Sequence, residues 1–229
     1  MTNGILIASP NSGSGKTVIT LGLLKALSRH TRVRGAKSGP DYIDPQFHEI
    51  ASGNKSFNLD TWAMNEQRIK NLSICKGHFI VEGAMGLFDG DSSGKSGSAA
   101  SLAKLLNLQV ILVIDCSKIA QSVSALVNGF VSHDPDLKFL GIILNKIGSE
   151  KHLKMISDAL SDKSLPPILG ALRRSEKLHH PSRHLGLVQA SERENLNIWL
   201  NEVANEIENN IDLSKLKWSF FYRVLITNF

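Results

Sequence analysis

Apolar residues gather into short runs separated by polar, glycine-rich stretches. Ile5–Ala8, His78–Glu82, Val110–Asp115 and Leu140–Asn145 are dominated by aliphatic side chains, the pattern of strands covered on both faces. A shorter run, Val33–Lys37, predicts a further strand. Between and after these runs, apolar residues recur at helical spacing over Thr17–Leu27, Ser98–Leu106, Ile119–Val131 and Lys151–Leu160. A last amphipathic helix is predicted over Asn195–Ile211, with Trp199, Val203 and Ile207 on one face. Strands alternating with helices predict an α/β fold, doubly wound around a mainly parallel sheet with helices on both faces. Ligands of such sheets sit at the carboxyl ends of the strands. Here those ends carry Ser9, Lys37, Glu82, Asp115 and the pair Asn145 and Lys146. The loops Ser38–Pro45, Gly86–Gly97 and Ser175–Gly186 are rich in Gly, Pro, Ser and Asp.

Composition narrows the classes. A chain of 229 residues suits one large domain, and 42% hydrophobic with 21% charged residues describes an ordinary globular protein. The net charge of +5 comes from scattered basic residues, with no basic stripe interleaved with aromatics, so no nucleic-acid partner is expected. A site for phosphates and carboxylates accounts for the excess equally well. No apolar run approaches the ~20 residues that span a bilayer, and no secretory leader pattern opens the chain. A cytoplasmic protein with no membrane partner is expected. Cys75 and Cys116 lack metal-type spacing; both are expected as reduced thiols, Cys116 in the core.

The most specific local signal is Ser12-Gly13-Ser14-Gly15-Lys16-Thr17, placed between a predicted strand and a predicted helix. Glycines let backbone N–H groups close around phosphate oxygens, and the helix start adds partial positive charge. Lys16 is expected to reach the outer phosphates and Thr17 to ligate Mg²⁺, so ATP with Mg²⁺ is the predicted cofactor pair. Pro10 stands where the usual pattern has its first glycine.

Two acidic loops follow. Pro40-Asp41-Tyr42-Ile43-Asp44-Pro45 places two carboxylates three residues apart, just past Lys37. It reads either as an Asp-rich turn or as carboxylates approaching Mg²⁺ or a reacting carboxylate. Glu82 ends an apolar strand, the usual place for a second Mg²⁺ ligand of P-loop enzymes; the alternative is a buried Glu paired with a cation. Asp89, in the glycine-rich stretch behind it, is a candidate site residue or a turn residue.

Together and in this order, Ser12–Thr17, Lys37–His48 (KSGPDYIDPQFH), Asn58–Trp62 (NLDTW), Glu82–Gly90 (EGAMGLFDG), Gly141–Asn145 (GIILN) and Pro181–Val188 (PSRHLGLV) resemble the cobyrinic acid a,c-diamide synthase family of corrinoid biosynthesis. The family's synthetase domain is similar to dethiobiotin synthetase, which implies a P-loop NTPase fold of that branch. The resemblance implies ATP-dependent amidation of the a and c carboxylates of cobyrinic or hydrogenobyrinic acid through an acyl phosphate. It implies Lys16 and Lys37 as neutralising cations, Thr17, Asp44 and Glu82 as metal ligands, and Asp41 and Asp89 at the acyl-phosphate and ammonia steps. Asn145 reads as an adenine contact or a strand-ending cap, Tyr42 as lining the corrin pocket or as turn packing. Asp115 reads as support for the site or as a helix cap. His179, His180, Arg183 and His184 read as a polar loop near nucleotide or substrate rather than a metal cluster.

The full-length family enzyme carries a glutamine amidotransferase domain with a nucleophilic Cys, and neither Cys75 nor Cys116 lies in a matching segment. The expected organisation is a synthetase domain over 1–211, an atypical apolar tail over 212–229, and no glutaminase domain. Ammonia would then come from outside, with a separate glutaminase subunit as partner, a corrin carboxylate as substrate and a homodimer as a further assembly. The aromatic tail, Trp218 to Phe229, reads as a docking segment, a membrane-surface attachment or a shifted reading frame. Three alternatives stay open: a nucleotide-binding remnant without activity, a homologue amidating a nickel tetrapyrrole, and a nucleotide-switch ATPase that positions plasmids or division proteins. The last class carries a Lys early in its loop, where this chain has Asn11.

Overall fold

Strand alternation divides the interior in two. Ile5 and Ile7 of β1 (Gly4–Ala8) face one apolar cluster while Leu6 and Ala8 face the other. In β5 (Gln109–Asp115), Ile111 and Val113 join the first cluster, and Val110, Leu112 and Ile114 join the second. Such two-sided burial requires a central sheet with helices on each face. The computed structural model shows that arrangement over the residues it describes: 4–92, 94, 96–175, 178 and 195–216.

The remaining elements are α1 (Lys16–Ser28), β2 (Val33–Ser38), α2 (Asp44–Ser52), β3 (Phe57–Leu59), α3 (Glu66–Ser73), β4 (His78–Glu82), α4 (Ala99–Leu106), α5 (Val123–His133), β6 (Lys138–Ile147), α6 (Glu150–Ala159), β7 (Ile168–Arg173) and α7 (Leu196–Asn210). The seven strands run in the order β3-β2-β4-β1-β5-β6-β7, and every pairing between neighbours is parallel. Residues of α1, α2 and α7 pack in the first cluster, and residues of α3 to α6 in the second. The chain winds outward from β1 to β3, returns through β4, then crosses to β5. The crevice therefore opens at the carboxyl ends of the strands around β1.

The predicted strands and helices are all present. Among the described residues, the α-helices α2 and α3 and the strands β3 and β7 lie outside those predictions. The loop expected over Ser38–Pro45 ends early, because α2 begins at Asp44 with Pro45 in its first turn, a position where proline costs no hydrogen bond. The helix expected from Ile119 begins at Val123, after Ser122, so Asp115 is not its cap. Trp199, Val203 and Ile207 of α7 are buried, as their spacing predicts. Gly22 lets α7 come close to α1: a Cβ there would stand 2.5 Å from Ile207 Cγ1.

Beyond α7, Asp212 N donates to Leu169 O, and Leu216 is buried in the first cluster. The rest of the tail and the segment Pro181–Val188, with His179, His180, Arg183 and His184, lie outside the described residues. Among the described residues, no helix is long and apolar enough to cross a membrane.

Candidate active site

The loop between β1 and α1 takes the conformation its glycines predict. Gly13 has φ +79° and Gly15 φ +94°, both in the region where L side chains are strained. Gly15 is also needed for space, since a Cβ would stand 2.2 Å from Asn145 Nδ2. α1 has no acidic residue in its first turn, so its N–H groups and dipole remain available to an anion. Lys16 Nζ donates to Met85 O (2.6 Å), Ser9 Oγ (2.8 Å) and Asn11 O (3.4 Å). Burial pulls its pKa below the ordinary lysine value, against the opposing charge of Glu82. Ser14 is buried, its Oγ donating to Asn11 O and Oδ1. The missing first glycine is matched by another: a Cβ on Gly86 would lie 2.5 Å from Pro10 O.

Beside this loop lies a charge cluster drawn from the adjacent strands β2 and β4, the loop after β2 and α2. Glu82, at the end of β4, is fully buried. Its Oε1 accepts from Thr17 Oγ1 (2.5 Å) and Lys37 Nζ (2.9 Å); its Oε2 lies 2.8 Å from His48 Nε2. Lys37, on β2, also donates to Asp44 Oδ2 and approaches Asp41 Oδ2 at 3.9 Å. Asp41 Oδ1 accepts from the backbone N–H of Ile43 and Asp44, which fixes the start of α2. Asp41 therefore builds a turn, and Asp44 reaches the cluster.

The electrostatics follow from burial with pairing. Burial alone would raise Glu82, but Lys37, His48 and Thr17 outweigh it and hold the carboxyl below the usual range. Burial would lower Lys37, but Glu82 and Asp44 raise it above its ordinary value. Asp44 is pushed up to about 6, first by burial and then by the charge of Glu82, with Lys37 opposing.

The cleft along this edge has a volume of about 960 Å³. Its lining joins Lys37, Asp41, Asp44 and Glu82 to the phosphate loop and to Asn145 and Lys146. Three expected site residues, Ser14, Asp89 and Tyr42, are not in its lining. Asp89 Oδ2 accepts from Gly86 N and stabilises the turn behind the loop, and Tyr42 is 90% exposed, between the lining residues Asp41 and Ile43. Asn145 Nδ2 donates to Ser14 O (2.8 Å), so this strand end clasps the phosphate loop. Lys146 adds a second clasp through Gly13 O (2.9 Å) and pairs with Asp115 at 2.6 Å. Asp115 thus supports the site, its other oxygen accepting from Ser117 N.

Sequence reasoning assigned no role to Lys146 or His48. His48 had a signal: it follows Asp44 by four residues, so both project from one face of α2. Cys116 is buried and free, and burial with nearby Asp115 pushes its thiol up to about 12, which fits a core residue.

Among the described residues, no three His, Cys, Asp or Glu side chains form a ready-made metal cage. Mg²⁺ does not need one: it takes one or two carboxylates, waters and substrate phosphates. The oxygens of Thr17 and Glu82, in contact at the mouth of the phosphate loop, fit that hard-donor pattern.

Residues 5–188 match the CobQ/CobB/MinD/ParA nucleotide binding domain family. Over 220 residues the chain is 48% identical to hydrogenobyrinate a,c-diamide synthase from a Sinorhizobium species, an alignment covering 94% of this chain and 50% of that one. The protein of that name from Brucella anthropi is 48% identical over 224 residues, covering 94% and 51%. The chain spans about half the length of the curated relatives it matches. Among solved structures, apo McdA of Cyanothece superposes with a TM-score of 0.56 at 15% identity, covering 95% of this chain and 98% of that one. This last likeness is one of fold.

Proposed function

The chain belongs to the CobQ/CobB/MinD/ParA nucleotide binding domain family, and on that premise we propose that it is the ATP-dependent synthetase domain of a ligase amidating the a and c carboxylates of hydrogenobyrinic or cobyrinic acid. The observation that carries the reading is one cleft holding both halves of the required chemistry. The phosphate loop with Lys16 and the Lys37–Asp44–Glu82 cluster both line it, joined through Thr17 and Glu82. The names of the relatives supply the substrate class.

A carboxylate is a poor acylating agent until one oxygen becomes a leaving group. In the proposed reaction a substrate carboxylate oxygen attacks the γ-phosphorus of ATP, the bond to the β–γ bridging oxygen breaks, and ADP leaves. Ammonia then adds to the acyl carbon, inorganic phosphate departs, and a proton is lost from nitrogen to give the amide. Phosphoryl transfer of this kind depends on alignment and charge neutralisation. Lys16 turns from the Met85 carbonyl to the β- and γ-phosphates. Lys37 swings from Asp44 to the incoming carboxylate, holding two anions in line that would otherwise repel. Thr17, Glu82 and Asp44 are the residues that would hold Mg²⁺, which supplies further neutralisation of the transferring phosphoryl group. Asp41 orders the loop that carries Asp44, and Asp89 orders the turn that presents the Met85 carbonyl. Asn145 holds the loop from behind, with the base expected on its side of the cleft. Tyr42 contacts the macrocycle. Residues 1–211 form the synthetase unit in this reading, and ammonia reaches it from free ammonium or from a glutaminase unit.

The test is ADP formation by the purified chain with MgATP and hydrogenobyrinic acid, with ammonium or glutamine, following product mass. Substrate-dependent ADP with amide formed from ammonium is the expected result. MgATP binding without any macrocycle-dependent ADP would refute the proposal and leave nucleotide binding alone.

A further inference from the structure

We infer that His48 is the positioning residue of Glu82, anchoring one carboxylate oxygen so that the other can exchange partners during the reaction proposed above. His48 projects from α2 one turn beyond Asp44, and its side chain is fully buried. Its Nε2 lies 2.8 Å from Glu82 Oε2, and its Nδ1 lies 3.4 Å from Ser56 Oγ. With the proton on Nε2, the ring donates to Glu82 and leaves Nδ1 to accept from the Ser56 hydroxyl. Ser56 is buried, and its backbone N–H donates to Glu49 Oε1 at 3.0 Å. The sheet is shaped to admit the ring: a Cβ on Gly35 of β2 would stand 2.8 Å from His48 Cβ.

The division of labour lies in the two oxygens of Glu82. Oε1 is held by Thr17 and Lys37, the two groups that the proposed reaction draws toward metal, phosphate and substrate carboxylate. Oε2 has His48 as its hydrogen-bond partner, and that partner faces away from the cleft: His48 is fully buried and absent from the cleft's lining. When Thr17 and Lys37 turn away, the His48 bond remains and keeps the carboxylate plane from rotating. Groups that orient a ligating carboxylate in this way change metal affinity or activity by about ten- to a hundredfold when removed.

The test compares His48→Gln, whose amide nitrogen reaches about as far as Nε2, with His48→Leu, which fills the space and donates nothing. The first readout is the ratio of ATP dissociation constants in EDTA and in Mg²⁺, measured by calorimetry, which requires no turnover. The Leu variant is expected to lose the Mg²⁺-dependent gain by about tenfold or more, and the Gln variant to stay within about threefold of the parent. The second is the KM-against-kcat split for macrocycle-dependent ADP formation, with the Leu loss falling on kcat. A folded Leu variant that keeps the full Mg²⁺ gain would overturn the inference. So would a Gln variant that fails to fold or loses as much as Leu, since shape alone would then be the role of His48. Absence of macrocycle-dependent ADP in the parent protein counts against the proposed function and leaves the Mg²⁺ readout to decide on His48.

Discussion

Replacing Gly15 by Ala should damage the phosphate loop in two separable ways, and a double-mutant cycle with Asn145→Ala should divide them. The backbone at Gly15 sits at φ +94°, a conformation that costs an L residue about 1–2 kcal/mol. The new methyl would also lie 2.2 Å from Asn145 Nδ2, so the amide must move. That breaks its bonds to Ser14 O (2.8 Å) and from Lys146 N (2.9 Å), worth about 1 kcal/mol each. The Gly15→Ala cost is then about 3–4 kcal/mol. Asn145→Ala alone loses the same two bonds, about 2 kcal/mol. In the double variant the bonds are already gone and only the backbone strain is added, so it should match Gly15→Ala alone. The coupling is about −2 kcal/mol, against near zero for independent sites. For a domain of this size that separates the double variant from the additive expectation by roughly 4–8 °C in melting temperature. The assay is thermal or urea unfolding of the four proteins without nucleotide. Additive losses would refute the reasoning, because they would mean that Asn145 does not press on Gly15 in the folded protein.

The two lysines should differ in kind: Lys16→Met, which frees only neutral acceptors, should abolish ATP binding with a modest loss of stability. Lys37→Met leaves Glu82 and Asp44 buried without their cation and should cost about 3–5 kcal/mol in urea unfolding; equal stabilities would refute the assignment. Asp44, raised to about 6, contributes stability that is fully present below its unfolded value and lost as pH rises through about 6. Asp44→Asn should therefore flatten the part of the stability profile between about pH 4 and 7 that this group supplies, while abolishing ADP formation; an unchanged profile would count against the charge cluster. Tyr42→Ala, at a fully accessible position, should leave unfolding unchanged within about 0.5 kcal/mol and raise KM for the macrocycle but not for ATP. No change in either KM would remove Tyr42 from the substrate site.

Much of this architecture was legible because the central strands are buried on both faces. Ile5 to Ala8 and Val110 to Ile114 read as continuous apolar runs, and their alternate residues divide between the two clusters. The periphery was harder. β3 has three residues, β7 is interrupted by Gly170, and α3 is short and strongly polar, so none carries a long period. α2 was hidden by Pro45, which reads as a breaker when counted along the sequence and as a favourable first-turn residue once the helix is seen. The phosphate loop, Lys37, Asp44 and Glu82 were singled out in the sequence and line one cleft, and the relatives bear out the family resemblance. Asp89 was read as a site residue or a turn residue, and the Gly86 N–H that it accepts from places it in the turn. Lys146 was read only as one of the polar strand ends, because its clasp on the loop arises from a bulge in β6 and a backbone φ of +60°, neither of which leaves a residue-type signature.

The charge cluster accounts for why a cation should enter with the nucleotide rather than wait for it. Three carboxylates, Asp41, Asp44 and Glu82, share the ammonium of Lys37, and burial together with the charge of Glu82 raises Asp44. Lys16 is held nearby on neutral acceptors, not on these carboxylates. A triphosphate and a substrate carboxylate both add negative charge to the same cleft, at distances where poor solvent screening makes repulsion expensive. If Lys37 alone had to neutralise them, it would abandon Glu82 and Asp44 at the cost of two buried charges. In the proposed reaction, Glu82 and Asp44 would hold the divalent cation that comes with the phosphates, which would free Lys37 for the substrate. In this scheme Lys37 holds the metal's place between Glu82 and Asp44 until the nucleotide comes, so the loaded site and the resting site satisfy the same two carboxylates with different cations.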